Sequence, residues 1–153
     1  KIILAITADM CNYIHNMTAV TANTRQQCQE EERLMVLDPI RRALYCMGIA
    51  YYLVGSQDEA AWLTPGKLDL AFQQPWERLV ELVNTATQCR RITPEIDKCL
   101  GLLYDEIILD HIQNTRYTVE QRGSWWQGYY KARSLGALTP KTISEIIPEE
   151  ANQ

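Results

Sequence analysis

Two groups of side chains in this sequence have the types and spacing to do chemistry. Cys11 and His15 stand four residues apart, so on a helix both could reach one ion from the same face. Zinc would need two further ligands, and no residue at a matching spacing supplies them. Asp105, Glu106, Asp110 and His111 form the second group. Glu106 and Asp110, at i and i+4, could present two carboxylates to a metal or a cationic ligand. The Glu-x-x-His pattern of di-iron bundles fails here, because Ile108 occupies the position three before His111. His111 falls beside Ile107, Ile108 and Ile112 on the apolar side of a helix pattern, the place of a half-buried, hydrogen-bonded histidine. The carboxylates read as a solvated face.

Catalytic signatures are otherwise missing. The sequence has no Gly-rich phosphate loop, no GxSxG elbow, no HExxH and no dinucleotide fingerprint. With only two histidines, a nucleophile–base pair has few candidates and no orienting third residue. No catalytic residue, metal or cofactor is expected, and a metal-dependent enzyme is the weakest of the functional readings.

The most unusual stretch runs from Gly123 to Arg133. Trp125, Trp126, Tyr129 and Tyr130 fall within six residues, flanked by Arg122, Lys131 and Arg133. Trp, Tyr and Arg are the types enriched at binding hot spots; the same aromatics could stack bases or sit at a membrane surface. The alternative is structural: one Trp and one Tyr lock this segment onto the rest of the molecule and the others are partly exposed. If the protein has a binding surface, these seven residues are its expected location. A second candidate is a small-molecule pocket between helices near Tyr51, Tyr52, Trp62 or Trp76, with Met47 beside the tyrosines, although ordinary core filling explains them equally well.

The elements that must position these residues are helices. Thr64-Pro65, Thr93-Pro94 and Thr139-Pro140 each pair a capping Thr with a Pro suited to a helix's first turn. Asp38-Pro39 and Gln74-Pro75 are weaker versions of that start. Residues 2–37 carry helical spacing with a Thr- and Asn-rich middle that invites a break. Pro39 to Val54 is apolar on all sides after Arg41 and Arg42 and must be covered by neighbours. Gly48 in its middle would admit a second helix at close range, and Gly55 marks its stop. Two short helical pieces are expected over residues 58–74. From Pro75 to Arg91 the stripe is Trp76, Leu79, Val80, Val83 and Ala86 or Thr87. From Pro94 the pattern runs on to about Gln121, with Gly123 as its stop. A last short helix follows Thr139-Pro140, and residues 149–153 read as a frayed tail. No run alternates like a strand. The expected fold is all-α: one domain over residues 1–148, an irregular helical bundle of about four longer helices plus several short ones.

Bulk composition agrees with a globular chain. The protein has 153 residues, 46% hydrophobic and 22% charged, with a net charge of −4. Its basic residues are scattered, with doublets only at Arg41-Arg42 and Arg90-Arg91, so nucleic acid is not expected as a partner. The longest uncharged apolar stretch, residues 43–54, falls short of the roughly 20 residues a bilayer span needs. The five cysteines, Cys11, Cys28, Cys46, Cys89 and Cys99, show neither CxxC spacing nor a disulfide framework. They read as buried thiols, which favours the cytoplasm over export; a removed targeting segment stays open. Together these features favour a protein-interaction module: an adaptor, accessory subunit or inhibitor of the immunity type. Its partner would be another protein, or itself as a homodimer. A helical sensor or small-ligand-binding domain is the alternative.

Overall fold

A computed structural model describes residues 27, 29–30, 33, 38–55, 74–107 and 117–148. The chain divides into two compact units, Lys1–Leu34 and Met35–Gln153. In the first, residues 27, 29, 30 and 33 are described, and all four are helical and exposed. Most of the stretch read as the first helix, the Thr64-Pro65 start with its two short pieces, and the tail 149–153 lie outside the described residues.

The second unit is all-α. Among the described residues it holds five helices and no strand: α1 (Pro39–Gly55), α2 (Pro75–Gln88), α3 (Pro94–Glu106), α4 (Val119–Leu135) and α5 (Pro140–Ile146). Four are long and one is short.

The starts follow local chemistry. Asp38 Oδ1 accepts from the backbone N–H of Ile40 at 2.9 Å and of Arg41 at 3.4 Å, ahead of Pro39 in the first turn of α1. Thr93 Oγ1 accepts from the Ile96 N–H and Thr139 Oγ1 from the Thr142 N–H, each at 3.2 Å, with Pro next in line. Gln74 makes no side-chain cap, so Pro75 alone marks the start of α2. At its other end, the Arg91 N–H donates to Ala86 O at 2.8 Å and the Arg90 N–H to Thr87 O at 3.0 Å. That is a Schellman closure, with Arg90 at φ 55° where glycine is usual.

One boundary departs from the expected pattern. The helix beginning at Pro94 ends at Glu106, with Ile107 as its C-cap, instead of running to residue 121. A separate helix starts at Val119. Its start is a capping box: Thr118 Oγ1 accepts from the Gln121 N–H while Gln121 Oε1 accepts from the Thr118 N–H. Gly123, read as a stop, therefore lies inside α4, and the aromatic stretch is helical throughout.

The core is built around α1. Every residue from Arg41 to Gly55 is buried except Tyr52, which is half-buried. Its most extensive partner is α4, with α2 and α3 on other sides. Against α2 it meets Leu79, Leu82 and Ala86, so the stripe differs from the expected one: Leu82 is inside and Val80 is 38% exposed. On α3 the buried positions are Ile96, Cys99, Leu100 and Leu103, while Tyr104 is 36% exposed. Helix α5 packs on α3, buries Ile143, and accepts a hydrogen bond from Tyr45 Oη at the Ile146 carbonyl, 3.1 Å away.

Candidate functional site

All seven residues singled out around the aromatic stretch lie on α4, and α4 is positioned by α1. From their starts as far as Tyr45 the two helices pair at an offset of 83 residues. Gln121 Nε2 donates to Asp38 Oδ2 at 3.4 Å, and Arg41 Nε donates to Ser124 Oγ at 3.0 Å. One turn on, Gly128 meets Tyr45 at the same offset. Equal steps on both helices mean that they run parallel, with their N-termini side by side.

The seam closes on two glycines. A Cβ on Gly48 would collide with the Trp125 carbonyl oxygen and lie 2.8 Å from Tyr129 N. On Gly128 it would collide with the Tyr45 carbonyl oxygen and lie 2.8 Å from the Tyr45 carbonyl carbon. Each glycine is thus the gap into which the other helix's backbone fits, as expected for Gly48. Ser124, Gly128 and Ala132, spaced by four, form the buried small-residue face of α4.

This seam divides the aromatic stretch in two. Trp125 faces α1, is 1% exposed, and meets the Tyr51 ring edge-on at 5.3 Å. Tyr129 stacks on Trp125 at 5.6 Å and meets Tyr52 edge-on at 5.5 Å. Trp126 and Tyr130 make a second stack, with centroids 5.7 Å apart. At 3.6 residues per turn they lie about 160° around the helix from Gly128, on the side facing away from α1. Both are half-buried. Arg122 and Arg133 fall near the same outward line and Lys131 to one flank, and all three are exposed. Trp125 therefore serves the core, Trp126 is half-buried and packs against it, and Tyr130, Arg122 and Arg133 fall on the outward side, with Lys131 exposed nearer the seam.

The other sequence candidates fare differently. Glu106 is no solvated carboxylate: it accepts from Arg42 Nη2 at 2.6 Å. Asp105 is exposed. Asp110, His111, Cys11, His15 and Trp62 lie outside the described residues. Among the described residues no three His, Cys, Asp or Glu side chains converge to hold a metal. Tyr51 and Tyr52 spend their rings on α4, and Trp76 meets Tyr104 edge-on at 6.1 Å.

Sequence reading missed the polar cluster where α1 and α4 begin. Arg41 and Arg42 are 8% and 9% exposed, although cations in a first turn oppose the helix dipole. Arg41 donates a hydrogen bond to Ser124 Oγ, and Arg42 pairs with the Glu106 carboxylate. The doublet followed by twelve apolar residues, 43–54, was the available signal. Nearby, burial pushes the Cys46 thiol up to about 12, Glu106 adding to the rise and Arg42 opposing it. A thiol held protonated in this way is a poor nucleophile. Burial raises the Tyr51 phenol too. Cys46, Cys89 and Cys99 are free thiols, Cys89 exposed and the other two buried.

No protein-family model matches the chain, and neither a curated protein nor a solved structure matches it. Among the described residues no helix is long and apolar enough to cross a membrane.

Proposed function

We propose that this protein is an interaction module that engages another polypeptide through the outward face of α4. The observation behind this reading is the Trp126–Tyr130 stack on α4, half-buried beside the core, with Arg122, Lys131 and Arg133 exposed on the same helix. Amphipathic rings beside guanidinium groups bury much area at low conformational cost and supply hydrogen bonds at the rim. The ligand-pocket reading has less support, because Tyr51 and Tyr52 are already engaged by α4. The three free thiols are in keeping with a reducing compartment such as the cytoplasm.

Native mass spectrometry of the protein from its own cells tests this reading. A companion polypeptide in fixed ratio is expected. It should be lost in the Trp126→Ala/Tyr130→Ala double variant and kept in Glu145→Ala, an exposed change on α5. A companion that survives the double variant, or a bare-chain mass in every preparation, overturns the reading. A metal or small organic increment would redirect attention to the acidic residues or to the tyrosines of α1.

A further inference from the structure

Helix α2 carries two apolar lines side by side. Leu79, Leu82 and Ala86 are buried toward α1. Trp76, Val80 and Val83 follow at steps of four and three, the spacing by which one helix seats another. Trp76 and Val83 are half-buried at the edge of the core, and Val80 is 38% exposed. Helices α2 and α3 each pack on α1 and scarcely on one another. Across the groove between them Trp76 meets Tyr104 edge-on, and Tyr104 is 36% exposed. One turn before Tyr104 stands Gly101, exposed and with no described atom where a Cβ would be. Glycine costs stability inside a helix; here it leaves bare backbone beside the apolar line.

The charges around this line are of one sign. Glu77 stands one turn before Val80, and Asp105 follows Tyr104. Asp97 lies near enough to Tyr104 to add to the rise that burial gives its phenol. All three acids are exposed, and no described cation pairs with them. Of the cations on the two helices, Arg78 is tied to Glu81, and Lys98 lies about 120° around α3 from Tyr104. From this complementarity we infer that the groove between α2 and α3 seats an amphipathic helix of another polypeptide, apolar along one line and basic on both sides of it. The guest's apolar residues cover Val80 and Tyr104, its backbone approaches over Gly101, and its lysines or arginines reach Glu77 and Asp97. This seat is separate from α4, so either surface can fail without the other. Because charged rims guide the docking, added salt weakens it.

Fluorescence anisotropy of the full chain with a labelled synthetic peptide tests this directly. The probe is a helix of about 21 residues with leucine at the first and fourth heptad positions and lysine and alanine elsewhere. Its counterpart has glutamate for every lysine. The lysine peptide should bind about tenfold tighter than the glutamate peptide, and the advantage should shrink with salt. Glu77→Lys/Asp97→Lys and Val80→Lys should each weaken its binding about tenfold with an unchanged helical spectrum. Gly101→Gln should weaken binding while raising the urea midpoint, a pairing that a damaged fold would not give. The same change of charge placed elsewhere, Glu120→Lys/Glu145→Lys, should leave binding within about twofold. A lysine peptide that fails to bind at low salt overturns the inference, and so does a distant charge change that weakens binding as much as Glu77→Lys/Asp97→Lys. Binding that is lost in Trp126→Ala/Tyr130→Ala but kept in Val80→Lys assigns the peptide to α4, which overturns this seat and leaves the α4 reading standing. Self-association of the wild-type chain that Val80→Lys abolishes makes the occupant a second copy and overturns the inference as well.

Discussion

The α1–α4 seam and the α2–α3 pair are built from similar residues to opposite ends. At the seam, glycine lets each backbone enter the other helix, and aromatic side chains close over the crossing. On α2 and α3 the helices sit against α1 through leucines; Trp76 packs half-buried beside the core and Tyr104 stays exposed. Backbone contact leaves no slack, because no rotamer change relieves a clash with a carbonyl. Leucine contacts can repack at modest cost. The first region can therefore specify the fold, while the second is at liberty to vary.

The sharpest way to break this contrast is to add one methyl group. Gly128→Ala or Gly48→Ala should cost about 4 kcal/mol or abolish folding, as read by urea denaturation. Next comes the polar end of the seam. Glu106→Gln removes the carboxylate that pairs with the buried Arg42 guanidinium; the pair is partly open, with Glu106 28% exposed, so a loss of about 2 kcal/mol is expected. A change of opposite sign follows. Gly101 on α3 is exposed, with no described atom where a Cβ would stand. Gly101→Ala should stabilise by about 0.5–1 kcal/mol, and Arg90→Gly, which removes a strained positive φ, by a similar amount. Smaller still, Val80→Ser should fall within about 0.5 kcal/mol of the parent.

The last test is read from the change in stability between two pH values. The Cys46 thiol is raised when folded, so the native state holds its proton where the unfolded chain has lost it. Its contribution is whole below the unfolded value near 9 and is lost as the pH climbs toward about 12. Urea midpoints at pH 7 and pH 10 should therefore fall less in Cys46→Ala than in the parent.

Much of this arrangement was legible in the sequence. The Pro-marked starts at Asp38, Thr93 and Thr139 needed only local chemistry, and the buried run after Arg42 followed from the absence of charge. Gly48 announced a close neighbour, although not which one. The division of the aromatics is hidden while Gly123 counts as a helix stop. Thr118 and Gln121 as a capping box, with the 3.6-residue period, separate Trp125 from Trp126. The fates of Arg41 and Glu106 depend on partners 83 and 64 residues away, and no local pattern encodes a partner at that distance. On α2, Val80 and Leu82 are equally apolar, so only the direction of α1 decides which one is buried.

The parallel register of α1 and α4 also bears on how the chain is made. The helix that needs the most cover meets its principal partner across 83 residues of chain. Closing a loop of that length costs about 4 kcal/mol of entropy before any contact repays it. At typical synthesis speeds α1 leaves the ribosome roughly 4–17 s ahead of the matching part of α4. For that interval its bare flank is an exposed, sticky surface on a nascent chain. This makes α1 the segment that a holding chaperone would meet first, and the arrival of α4 the event that releases it.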